Sequence, residues 1–324
     1  NHTAKVYYPN VEQGNFEKIP GCPIGYWISE RILISFEHQE LNSLCEPRCG
    51  MSTGNNNYYV REWYEVELSQ IGFEFTREEA KESGKKWFPY DNAGGFRKWY
   101  GFLMEVVNWL NDGKELQTTI DPTGKRIWAH NFNLDKIFKE HIGWSDITSD
   151  INTFRKYGKG FLFSSSTNAA FNKEGHDQLD IVLGLCNSKL AIKFKNIFNP
   201  TLHFTPGNLL NLPFSKEKVQ LYEIEIVDKV FQNISISKSD WDSHETSWDF
   251  EANPLIALCN QYTKDGCGAT SYRLENFVKD FEAEWQEKFN QLHENEEELN
   301  RQFIEIYGLQ DELTPDVPKD EITI

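Results

Sequence analysis

Residues Lys85 to Gly113 read KKWFPYDNAGGFRKWYGFLMEVVNWLNDG, with two lysines and an Arg-Lys pair flanking a Gly94-Gly95 turn set among tryptophans and tyrosines. Cations on an aromatic frame around a flexible turn suit a polyanion. Lys85, Lys86, Arg97 and Lys98 can neutralise phosphates, while Asn92, Asn108 and Asn111 carry the paired donor and acceptor that match an adenine edge. The alternative is a hairpin whose aromatics are core and whose charges are merely solvated, the ordinary state of Lys and Arg.

Upstream, Tyr58, Val60, Trp63 and Tyr64 favour β-structure, and the Asn55, Asn56, Asn57 run after Gly54 is a turn whose amides can also contact DNA. Downstream, Arg155, Lys156 and Lys159 surround Tyr157 and Gly158. Phe161 and Phe163 then alternate into Ser164, Ser165, Ser166, Thr167 and Asn168, a strand leaving a basic loop toward hydroxyls that can hold phosphate oxygens. LDIVLGLCNSKLAIKFKNIF has helical apolar spacing, with Asn187-Ser188 inside the helix or at a helix join. LYEIEIVDKVF is a helix or strand. From Tyr272 to Ile306 the apolar residues fall at helical spacing, with an acidic run at Glu294–Glu298.

The net charge of -17 would repel a polyanion, but it is unevenly spread. Residues 221–324 hold 8 Lys+Arg against 24 Asp+Glu, a balance of -16, which leaves -1 for residues 1–220, and 151–220 is net basic. That asymmetry predicts a front part able to meet DNA and an acidic rear part facing protein or solvent. With 39% hydrophobic and 14% aromatic residues the chain can bury a sizeable core. No apolar run reaches membrane-spanning length and no secretory signal is visible, so a cytoplasmic location is expected. Cys22, Cys45, Cys49, Cys186, Cys259 and Cys267 are too scattered for a zinc site and are expected to be free thiols; no metal is expected. Asp240, Asp242, His244, Glu245 and Asp249 lack a defined ligand spacing and lie among tryptophans, as in a packed linker.

The Lys86–Gly101 run and the VVNWLNDG that follows resemble the target-recognition region of the PglX family, adenine-specific DNA methyltransferases of bacterial BREX phage-defence systems. The similarity continues in order through GMSTGNNNYYVREWYEV (Gly50–Val66), KGFLFSSS (Lys159–Ser166), GLCNSKL (Gly184–Leu190), NPTLHFTPGNLLNLPF (Asn199–Phe214), SKSDWDSHETSWDF (Ser237–Phe250) and ELNRQFIEIYGLQDELTP (Glu298–Pro315). The Ser52–Asn57 loop and the helix carrying Asn187-Ser188 also resemble parts of the recognition domains of single-chain restriction-modification enzymes and type I specificity subunits.

The resemblance implies a DNA-reading role, yet the loop that such enzymes use to grip a flipped adenine, [Asn/Asp]-Pro-Pro-[Tyr/Phe], is absent. No glycine pair sits between a strand and a helix as a fingerprint for S-adenosylmethionine would require. The expectation is therefore a piece of a longer enzyme, lying downstream of a methyltransferase domain that would bind S-adenosylmethionine; this chain itself would hold no cofactor. The expected fold is α+β, mainly antiparallel strands with helices, followed by a helical region. Residues 1–44 would be a connector, 45–220 the recognition domain and 221–324 the acidic helical part. The expected DNA contacts are Asn55, Asn56, Asn57, Lys85, Lys86, Asn92, Gly94, Gly95, Arg97, Lys98, Arg155, Lys156, Lys159, Ser164 and Ser165, on double-stranded DNA. The alternative is a docking domain for BREX proteins or phage inhibitor proteins.

Overall fold

The computed structural model describes residues 12–92, 94–149, 151–264 and 274–324; the expectations that fell on Cys267, Tyr272 and the first eleven residues lie outside them. Among the described residues, eight strands form two four-stranded sheets. They are β1 (Cys45–Cys49), β2 (Val60–Glu62), β3 (Trp87–Asp91), β4 (Glu105–Asn108), β5 (His141–Ser145), β6 (Phe154–Tyr157), β7 (Leu162–Phe163) and β8 (Thr167–Asn172). The first sheet, in the order β1-β8-β5-β6, is antiparallel throughout. The second, β2-β4-β3-β7, is antiparallel except where β7 lies parallel to β3.

The helices are α1 (Glu30–Ser35), α2 (Leu41–Leu44), α3 (Asn56–Tyr59), α4 (Arg77–Glu82), α5 (Leu110–Thr118), α6 (Leu179–Cys186), α7 (Lys189–Phe198), α8 (Pro206–Leu210), α9 (Lys216–Gln220), α10 (Glu223–Asp242), α11 (Pro254–Lys264) and α12 (Leu274–Tyr307). The mixed α/β architecture agrees with the sequence expectation, including the long helical stretch toward the C-terminus.

Side-chain alternation along the strands builds the layers. Ile142, Trp144, Phe154 and Ala170 of the first sheet join one apolar cluster with α6, α7, α10 and α12. Ala169 and Phe171 join another with Phe88, Tyr90 and Val107 of the second sheet. The first sheet is thus the middle layer, helices on one face and the second sheet on the other. The helix-side cluster runs from Ile19 to Ile322 without a break at residue 220.

Helix α6 is buried all round except at Asp180, as a helix between a sheet and other helices must be. A Cβ on Gly184 would come within 3.0 Å of Val230 on α10, so glycine sets this close crossing. Asn187-Ser188 is a helix join. Ser188 caps α7 by accepting from the Ala191 amide, and Asn187 exchanges two 3.0 Å hydrogen bonds with the backbone of Phe154 on the edge strand β6.

Candidate nucleic-acid interface

The Phe96–Gly101 segment connects β3 to β4, and its cations point inward. Lys98 Nζ lies 2.6 Å from Glu296 of α12, with side chains only 5% and 3% exposed. The second oxygen of the same carboxylate accepts from the Trp99 indole at 2.7 Å. Arg97 pairs with Asp240 of α10 at 2.8 Å, donates to the Ser237 carbonyl and lies over Trp241. Arg155 is fully buried; its guanidinium donates to the Tyr157 hydroxyl and the Arg97 carbonyl and stacks over Phe102. Of these three cations, expected to meet phosphates, Lys98 and Arg97 instead tie the segment to α12 and α10, while Arg155 bonds to Tyr157 and the Arg97 carbonyl. The physical reason is local neutralisation: a buried ammonium or guanidinium needs partners, and for Lys98 and Arg97 acids of the rear third supply them.

A second polar knot ties the two sheets together. Asp91, at the end of β3, faces His141 at 3.8 Å, and His141 stacks on Tyr157 at 5.0 Å. Gly143 is required here, since a Cβ would fall 2.5 Å from an Asp91 carboxylate oxygen. Burial pushes the Tyr157 hydroxyl well above its ordinary range, so it remains a neutral hydrogen-bonding group.

The remaining lysines converge. Lys85 from the start of the signature run, Lys156 of β6 and Lys159 from the loop after it line one cavity of about 650 Å³ together with Lys238 of α10. Its walls include Phe73, Tyr100, Phe161 and Trp248. Lys85 donates to the carbonyls of Ser69 and Ile71, both at 2.9 Å, without a carboxylate partner. Lys156 is paired with Asp180 and Glu140, and Lys238 with Asp242 and Asp249. Lys159 is exposed. Lys86 is half-buried beside this rim, its ammonium 5.0 Å from the Trp87 ring.

The asparagines converge separately. Asn56 and Asn57, at the start of α3, and Asn92, just after β3, line a cavity of about 440 Å³ with Arg61, Glu62 and Glu105. Asn55 is the residue preceding α3, and its amide donates to Thr53. Burial raises the Glu62 carboxyl above its usual range, with Glu65 adding to the effect. Burial likewise raises Glu105, opposed by a hydrogen bond from the Asn92 side chain and reinforced by Glu62 and Asp91.

Other expected contacts have structural partners. Asn108 is buried, donating to Glu115 and accepting from the Leu110 amide. Asn111 has a left-handed backbone in the turn that opens α5, where Arg77 grips the neighbouring Asp112 through two bonds. Gly94 and Gly95 are exposed; a Cβ on Gly94 would come within 2.5 Å of Phe102. Ser164 is buried and accepts from the Ser166 amide, while Ser165 is exposed. Sequence reasoning missed Glu62, Glu105, Lys238 and Trp248. For the glutamates the only signal was their place in β-favouring runs, and for Lys238 and Trp248 there was none before the chain folds back.

The sequence has relatives among known proteins. The chain is 38% identical over 320 residues, 98% of its length, to the adenine-specific methyltransferase PglX of Lacticaseibacillus casei (strain Zhang). It resembles a PglX segment from end to end. It is also 29% identical over 310 residues to the adenine-specific methyltransferase BrxX of Escherichia coli O9:H4 (strain HS). The chain spans about a quarter of the length of these relatives, 26% of PglX and 23% of BrxX. No protein-family profile matches the chain. Among the described residues no helix is long and apolar enough to cross a membrane, and no cluster of three or more His, Cys, Asp or Glu is arranged to hold a metal ion.

Proposed function

We propose that this chain is the target-recognition part of a BREX adenine-specific DNA methyltransferase, holding duplex DNA for a catalytic domain elsewhere in the longer polypeptide. That domain would bind S-adenosylmethionine and receive the flipped adenine. The carrying observation is the convergence of Lys85, Lys156 and Lys159, from distant parts of the sequence, on one aromatic-walled cavity. Cations there would contact phosphates and set the register of the duplex, while the neighbouring amide-lined cavity would meet base edges.

The test is duplex binding by this chain as a function of salt. Replacing Lys85 and Lys159 together by Glu is expected to weaken binding and to reduce the slope of log affinity against log salt by about 2, one counterion per lost phosphate contact. The same change at Lys279 and Lys288, which pair with Glu275 and Glu284 on α12, should leave the slope unchanged. Equal loss from both pairs would remove the assignment.

A further inference from the structure

Glu62 and Glu105 stand directly opposite one another in the antiparallel β2–β4 register, so their side chains leave the sheet on the same face. Among the described residues, one carboxylate oxygen of each and the side-chain carbonyl oxygen of Asn92 are buried and without a hydrogen-bond partner. All three residues line the same cavity. Around them, one guanidinium nitrogen of Arg61, Nη1, is bonded to the carbonyls of Asn57 and Val60, both at 2.6 Å, and the Asn92 amide serves Glu105. Three buried acceptors of the cavity thus stay unmatched. A buried acceptor left unmatched is costly, so the natural ligand is one that brings donors.

We infer that this cavity reads an exocyclic amino group of the target duplex, adenine N6 or cytosine N4, with Glu105, Glu62 and Asn92 as the accepting residues. This rests on the DNA-recognition reading above. In the major groove the amino groups of adenine and cytosine are the donors that a duplex presents, whereas guanine and thymine offer acceptors there, and glutamate matches cytosine N4 in particular. Asn56 and Asn57, exposed at the mouth on α3, add amides that can both donate and accept.

The test selects the preferred sequence of the intact chain from a random duplex library. It then measures binding of that sequence with each adenine changed in turn to purine and each cytosine to 2-pyrimidinone, which deletes one amino group at a time. The inference expects one position at which deletion weakens wild-type binding by roughly fivefold to a hundredfold. At that position Glu105→Ala should be insensitive to the deletion, while retaining wild-type salt dependence. Because the deletion is made in the DNA, the wild-type result stands even if the protein variant folds poorly. A selected sequence with no position sensitive to loss of an amino group overturns the inference alone, and leaves the cavity to a lysine or arginine of a protein partner. Equal sensitivity in Glu105→Ala overturns it as well. Absence of any duplex binding by the wild-type chain removes the inference together with the recognition reading beneath it.

Discussion

Replacing Glu296 by Ala should destabilise the chain severely, because that carboxylate serves two buried donors at once. The Lys98 amine, 5% exposed, would lose its carboxylate partner, and the Trp99 indole N–H would lose its acceptor. Breaking a buried pair from one side costs about 3–5 kcal/mol, and an orphaned neutral donor adds about 1 kcal/mol. For 324 residues the unfolding entropy makes a loss of about 4 kcal/mol equal to a fall of roughly 6 °C in Tm. Thermal and urea unfolding would measure it. The double variant Lys98→Met with Glu296→Gln removes the buried charge and keeps an acceptor for Trp99, so it should recover to within about 1.5 kcal/mol of wild type. It should also bind duplex DNA as wild type does, since Lys98 is an internal clasp. A cost below 1 kcal/mol for Glu296→Ala, or a double variant as unstable as the single one, would refute the reasoning.

Glu62 and Glu105 have raised folded-state values, so above the ordinary Glu range the native chain holds protons that the unfolded chain releases, and this pair's contribution to stability falls as pH rises through that window. Glu105→Gln should accordingly gain stability relative to wild type as pH rises above about 4.5 in paired urea titrations, with no gain below that value. Alkylation should separate the thiols. Burial pushes Cys45 up to about 12 and Cys186 well above the ordinary value, whereas Cys22 is exposed; mass spectrometry is expected to find Cys22 modified in the native chain, and Cys45 and Cys186 only after unfolding.

The parts of the fold that follow from local chemistry were legible in the sequence. The helical spacing after Tyr272 became α12, and the Asn187-Ser188 interruption became a helix join because Ser188 caps α7; of the residues read as β-favouring, Val60 lies in β2, while Tyr58 falls in α3 and Trp63 and Tyr64 in a short 3-10 turn. The acidic rear third was legible as composition but its role was not. Asp240 and Glu296 lie 143 and 198 residues from the cations they neutralise, and no periodicity or motif announces a contact at such separation. For the same reason a cationic signature run read as a phosphate clamp turned out to be divided. Lys85 remains on a cavity rim, while Arg97 and Lys98 are drawn into the helices. Of the asparagines expected to contact DNA, Asn56, Asn57 and Asn92 line one cavity. What sequence did not show was that two glutamates form its other wall, because their meeting depends on the β2–β4 register.

The most direct measurement exchanges the matching quarter of the Escherichia coli relative, 29% identical here, for this chain and maps methylated adenines across a genome. If the chain carries target recognition, the chimera should methylate a sequence motif different from that of the recipient enzyme and fixed by the inserted chain. An active chimera that still methylates the recipient's own motif, at the recipient's own level, would contradict the account.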